Sequence, residues 1–125
     1  MANIVPDSFK QELFTATHNF STSAGNTFKL ALYTTVTGFS TGTTNYIVTN
    51  ETSGTGYSAS GTTLTNALVT VAQNISFIDF NDATFSSATI SASCALIYNT
   101  TQSSKAVVVL DFGGTKTSTN GDFTI

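Results

Sequence analysis

At 125 residues the chain has room for one domain with a buried core and too little for two. Only 9% of the residues are charged, 40% are hydrophobic and roughly a fifth are threonine, which excludes disorder driven by high charge and low hydrophobicity. The net charge is −3, arginine is absent, and the four lysines (Lys10, Lys29, Lys105, Lys116) are scattered, so neither nucleic acid nor a membrane surface is an expected partner.

Residues 1–6 read as an extended N-terminal arm ending at Pro6, the one proline. A helix is expected over residues 7–20, capped by Asp7 or by Ser8 with Gln11 at capping-box spacing, and with Phe9, Leu13 and Phe14 on its inner face. The single histidine, His18, would then lie at the helix C-terminus, where it caps or packs; a lone histidine without a neighbouring nucleophile gives no triad. Residues 1–20 contain no apolar core of a secretory signal. No segment approaches the ~18 apolar residues of a membrane span, so the expected site of synthesis is a cytoplasm.

Residues 27–36 (TFKLALYTTV) alternate as a strand with Phe28, Leu30 and Leu32 inward and Lys29, Ala31 and Tyr33 outward. A Gly/Thr turn region at 37–45 and a short strand at 46–49 follow. Residues 50–63, with three glycines and Tyr57, read as a loop. The glycines Gly54 and Gly56 lack the lysine and helix of a phosphate loop, so they are turn formers. Residues 64–73 and 75–80 read as strands rich in valine, threonine, isoleucine and phenylalanine.

The strongest pattern runs from residue 88 to 114. Ile90, Ala92, Cys94, Leu96 and Tyr98 point one way and their neighbours the other, as in a half-buried strand. Residues 105–112 are apolar on both faces, as in a central strand, and Gly113-Gly114 are expected to stop it. A short polar connection makes the pair an antiparallel hairpin. Residues 122–125 (DFTI) would form a last short strand. Together these elements predict an all-β fold, a β-sandwich of antiparallel strands resembling a jelly roll, spanning residues 27–125 behind one N-terminal helix.

Chemistry is sparse. Cys94, the only cysteine, allows no internal disulfide and reads as a small buried hydrophobe. One histidine and one cysteine do not close a zinc shell. Asp79, Asp82 and Asp111 are the only acidic group worth weighing as glycosidase carboxylates or a calcium site, with Asx-turn bonding the commoner role. Tyr33, Tyr46 and Tyr57 offer a contact surface, since tyrosine is enriched at interfaces. The triplets at Asn19, Asn50, Asn74 and Asn99 follow from composition. No catalytic, cofactor-binding or metal residue is assigned.

The order of pieces SFKQELFTATHNF, FKLALYT, GTGYSASG, DATF…ATISA, ALIYN and VVLDFGG…GDFTI resembles short head proteins of tailed bacteriophages, of the decoration or cement type. The likeness runs from about Ser8 onward, with Phe85 where a tryptophan-like aromatic usually follows DAT. It implies a non-enzymatic virion protein on the capsid exterior, made in the host cytoplasm, that clamps adjacent major capsid proteins as a homodimer or homotrimer. Residues 1–20 and the loop at 37–45 are the expected contacts to neighbours. The alternatives are a tail- or fibre-associated receptor- or glycan-binding module using the tyrosine-bearing loops, and a glycoside-acting enzyme using the three aspartates.

Overall fold

The protein, seen as a computed structural model, is described over residues 2–125; Met1, the first residue of the expected arm, lies outside them. Among the described residues the elements are one helix, α1 (Asp7–Phe14), and six strands: β1 (Phe28–Tyr33), β2 (Thr62–Thr63), β3 (Leu68–Ala72), β4 (Ile75–Asp79), β5 (Thr84–Asn99) and β6 (Lys105–Thr124). Every strand pairing is antiparallel, in a four-stranded sheet of order β2-β1-β5-β6 and a separate ribbon of β3 and β4. The all-β class with one short N-terminal helix is thus the one the sequence predicts. Its strands divide four and two, where a jelly roll uses eight.

The alternation from Ile90 to Tyr98 does form a strand, yet its buried residues feed two different cores. Ile90 and Ala92 join Leu30, Leu32, Phe85 and Phe123 on one face. Cys94, Leu96 and Tyr98 join Tyr33, Phe39 and Val109 on the other. The reason is a break in the β5–β6 register. β5 advances only from Ala92 to Cys94 while β6 runs back from Lys116 to Asp111. The extra β6 residues loop out at Gly113 and Gly114, whose φ angles of 72° and 147° suit glycine, and the Gly113 N–H donates to Asp111 Oδ1. Gly113-Gly114 therefore bulge the strand instead of ending it, and β6 continues to Thr124.

This bulge, with two further register shifts between Phe85 and Ile90, lets the long hairpin curl. Phe85 lies ten residues along β5 from Ala95, the register partner of Leu32, or roughly 33 Å on a straight strand. Yet one side chain spans them. The Tyr57 ring packs 5.3 Å from that of Phe85, and its hydroxyl accepts from the Leu32 N–H at 3.0 Å. Residues 105–112, expected as a central strand, lie on the last strand of the sheet, with β1 and β5 at its centre. Other segments close that edge: Ile4 exchanges two backbone hydrogen bonds with Val109, and Thr44 accepts from Ala106.

The helix is shorter than residues 7–20 and differently used. Pro6 takes the N-cap position without a side-chain cap, so Asp7 and Ser8 fall inside the helix, and the Ser8 hydroxyl donates to the Thr43 carbonyl instead. Ala16, at φ 55°, turns the chain back so that His18 and Phe20 pack beside Phe9. Of the expected inner face only Phe9 is buried; Leu13 is half-exposed and Phe14 is 93% exposed. The arm is extended but laid along β6, and the loop at 37–45 holds it: the Asp7 N–H donates to Thr41.

The strand expected at 46–49 does not form, the nearest pairing being an isolated bridge between Asn45 and Lys105 just before it, and the loop at 50–63 is ordered by a polar hub. Glu51 accepts from the hydroxyls of Tyr46 and Tyr57, each at 2.6 Å, and from the Ser60 N–H at 2.7 Å. Gly61 follows at φ 77°, where a Cβ would collide with the Leu30 carbonyl. Tyr33, read as outward, is fully buried because residues 34–52 cover that face as well, and its hydroxyl donates to the Ile47 carbonyl.

Glu51→Ala leaves three donors without their acceptor and is expected to cost about 3 kcal/mol, against about 1–2 kcal/mol for Tyr57→Phe. Urea unfolding midpoints at constant slope measure both; a loss under about 1 kcal/mol for Glu51→Ala removes the hub from the account of stability.

Candidate interaction surface

His18, Cys94, Asp79, Asp111 and the tyrosines, which the sequence offers for chemistry, are buried or hydrogen-bonded within the chain. His18 is buried, and both ring nitrogens are occupied. Nε2 lies 2.6 Å from Glu12 Oε2 and Nδ1 lies 3.0 Å from the Asn99 side-chain amide. Asn99 is oriented by the Gln102 N–H, which donates to its Oδ1, and by its own amide, which donates to Asn26 Oδ1. That leaves the amide hydrogens facing Nδ1, so the Nε2–H tautomer donates to Glu12. His18 is not at the helix end, as expected, but beyond it, where it ties α1 to β5.

Lys105 completes the cluster by donating to Glu12 Oε1 at 2.9 Å. This explains why Glu12, three residues from Phe9, shares the helix's inward face. Burial pushes the Glu12 carboxyl up, but hydrogen bonds from Lys105 and His18 outweigh it and hold the group below its ordinary value.

The three aspartates are dispersed. Asp79 ends β4 and accepts its neighbour Phe80 N–H, Asp82 lies in the β4–β5 connection, and Asp111 faces Cys94 across the main sheet. Asp79 and Asp111 make local turn bonds, and the Gly113 N–H holds the Asp111 carboxyl below its ordinary value. Among the described residues no three His, Cys, Asp or Glu side chains converge as metal ligands. Cys94 is fully buried, and burial pushes its thiol up to about 11. The tyrosines do not form the expected surface: Tyr33, Tyr46 and Tyr57 spend their hydroxyls on Ile47 and Glu51. Burial and the Glu51 carboxylate push the Tyr46 and Tyr57 hydroxyls up, so both stay protonated donors.

Beside its polar surface the chain exposes a group of large apolar side chains. β3 and β4 form a ribbon closed by Gln73 and Asn74, both at positive φ, which is the two-residue turn that favours tight hairpins. The ribbon pairs with no other strand. Its register places Val69, Val71 and Ile78 on one face and Leu68, Ala72, Ile75 and Phe77 on the other. Six of these side chains are 40% to 67% exposed. Divided between the two faces, they leave on the order of 300 Å² of apolar surface on each, within the range of the largest patch on a soluble monomer. Between Ala67 and Phe80 the only ionisable group is Asp79.

The ribbon is anchored at its base. Phe80 packs against Phe20 and Phe28, the Thr22 hydroxyl donates to the Ala67 carbonyl at 2.6 Å, and the Asn81 N–H donates to Thr65. Beside it runs an apolar groove of about 280 Å³ lined by Val5, Phe9, Phe20, Ile78, Val107 and Leu110. Exposed Val5, Leu13 and Phe14 extend the apolar surface along the N-terminal segment. The sequence carries a signal for this surface: LVTVA-QN-ISFID is apolar at both strand parities with no lysine or proline, so neither face is built for water.

No family model, no curated protein and no solved structure matches the chain.

The Glu12 cluster sets an acid limit. A carboxyl held below its unfolded value of 4.5 contributes stability that is complete above that pH and lost as pH falls through the lower folded value. Stability followed by urea midpoint between pH 6 and 3 should drop below about 4.5, and Glu12→Gln should flatten that slope. An unchanged slope in Glu12→Gln refutes the assignment.

Proposed function

We propose that this chain is a non-enzymatic structural protein of a phage virion, bound to the outside of the capsid and clamping adjacent major capsid proteins. The observation that carries the reading is a contrast within one molecule. The body is inert: its histidine, cysteine and tyrosines are sealed or spent on internal bonds. The ribbon is the opposite, a two-faced apolar projection of a kind that is marginal alone and gains stability when covered. The motif order that resembles decoration and cement proteins supplies the partner, the major capsid protein.

Adhesion without chemistry needs what this surface offers. Covering the ribbon and the adjoining groove removes apolar area from water, and the near absence of charge avoids desolvating ions at the joint. A homo-oligomer at a capsid symmetry axis would multiply weak contacts into a stable clamp. The glycan-binding alternative draws less support, because the hydroxyls of Tyr33, Tyr46 and Tyr57 are committed within the chain.

The contact residues are testable without disturbing the fold. Removing residues 1–20 would take Phe9, His18 and Phe20 out of the interior, so deletion confounds binding with unfolding. Ile75→Ser with Phe77→Ser changes two exposed ribbon residues instead. Cosedimentation with empty heads of the same phage should show saturable binding of the native protein, a raised melting temperature of the heads, and at least tenfold weaker occupancy by the double variant. Native protein that fails to bind, or a variant that binds equally well, overturns the proposal.

A further inference from the structure

The ribbon has two outer edges, and they differ in a way that selects a partner. In a two-residue hairpin the closing pair, Ala72 and Ile75, exchanges hydrogen bonds across the turn, and inward and outward backbone groups alternate from there. Thr70 and Leu68 therefore bond inward to β4, while Val69 and Val71 direct their N–H and C=O groups outward. Along β4 the outward residues are Ser76 and Ile78.

We infer that β3 is a homotypic pairing edge, on which β3 of a second copy of this chain adds antiparallel about a two-fold axis through Thr70. That axis places Val69 opposite Val71 of the second copy and the reverse, so the outward groups meet in two complete hydrogen-bonded pairs. Thr70 meets its own copy in the closer, non-hydrogen-bonded position, and Leu68 meets Ala72. Every apposition is apolar with apolar or hydroxyl with hydroxyl. The product is a four-stranded ribbon of order β4-β3-β3-β4, long enough to be stable where a lone pair of strands is marginal.

The other edges fit a second copy less well. A two-fold through Phe77 on β4 would set Asp79 against Ile75 and Ser76 against Ile78, burying polar groups against apolar ones. The distal half of β6 also pairs on one side only, but Lys116 and Asp122 charge it and the Gly113–Gly114 bulge interrupts it, the usual devices that keep an edge single. β3 has no charge, no proline and no bulge. Pairing along this edge brings the valine, leucine and alanine side chains of the two copies side by side on both faces of the joined ribbon. This inference stands independently of what the assembled protein binds.

Purified full-length protein provides the test. Sedimentation velocity across a micromolar range should show a monomer–dimer equilibrium, and Val71→Lys should weaken it at least tenfold with an unchanged circular dichroism spectrum. Mild oxidation should cross-link Thr70→Cys to its own copy, since that pair sits within disulfide reach, and should leave Phe77→Cys uncross-linked. The native Cys94 is buried and does not interfere. A monomer at all concentrations, a closed trimer, cross-linking through Phe77→Cys, or none through Thr70→Cys would each overturn β3 pairing. Failure to bind heads, with dimers intact, would instead strike only the virion reading.

Discussion

The Glu51 carboxylate is the constraint on which the two-sided core depends. One oxygen takes the hydroxyl of Tyr46, whose ring stacks 4.8 Å from that of Tyr98 on one face of the sheet. The other takes Tyr57, whose ring packs on Phe85 on the opposite face. A single anion at the sheet margin thus fastens the covers of both faces, and charge-assisted bonds are strong enough to hold a glycine-rich loop in place. Tyr98 adds to this by donating to the Ser60 carbonyl, and Lys29 by donating to the Ser60 hydroxyl. In a chain with so few charges, one carboxylate with three donors counts for much.

The local patterns in the sequence were readable where burial follows chain parity. The alternation through Ile90 and Leu96 gave a strand because both faces of β5 meet side chains, and the apolar run near Val107 gave its antiparallel partner. Legibility failed where geometry is set by distant residues. Gly113-Gly114 look the same as a strand stop or as a bulge, and only the partner strand's register decides between them. Phe14 lies on the same predicted face as Phe9, yet α1 is short and its inward contact after Phe9 is Glu12, neutralised by Lys105 from far along the chain. Tyrosines that resemble contact residues by type serve as internal donors because an acceptor, Glu51, lies five or six residues away and folds back onto them.

The apolar ribbon was legible as two strands but not as a detached pair. Hydrophobicity predicts burial, and nothing within LVTVAQNISFID says that the rest of the chain leaves these side chains exposed. The clue lay in what the segment omits: one polar face and the lysines or prolines that normally guard an open edge. The structure turns that omission into a division of labour. A sealed body fixes the base of the ribbon through Phe80, Ala67 and Asn81, and the ribbon carries the exposed apolar side chains.

The scarcity of ions on that ribbon has a further consequence for the conditions under which any joint made there would come apart. With Asp79 its only charge, screening by added salt has almost nothing to act on, so brine would leave such an assembly intact. Cooling acts on the other term, because the drive to withdraw apolar surface from water fades at low temperature. Chilling, and not ionic strength, is what would loosen such a joint.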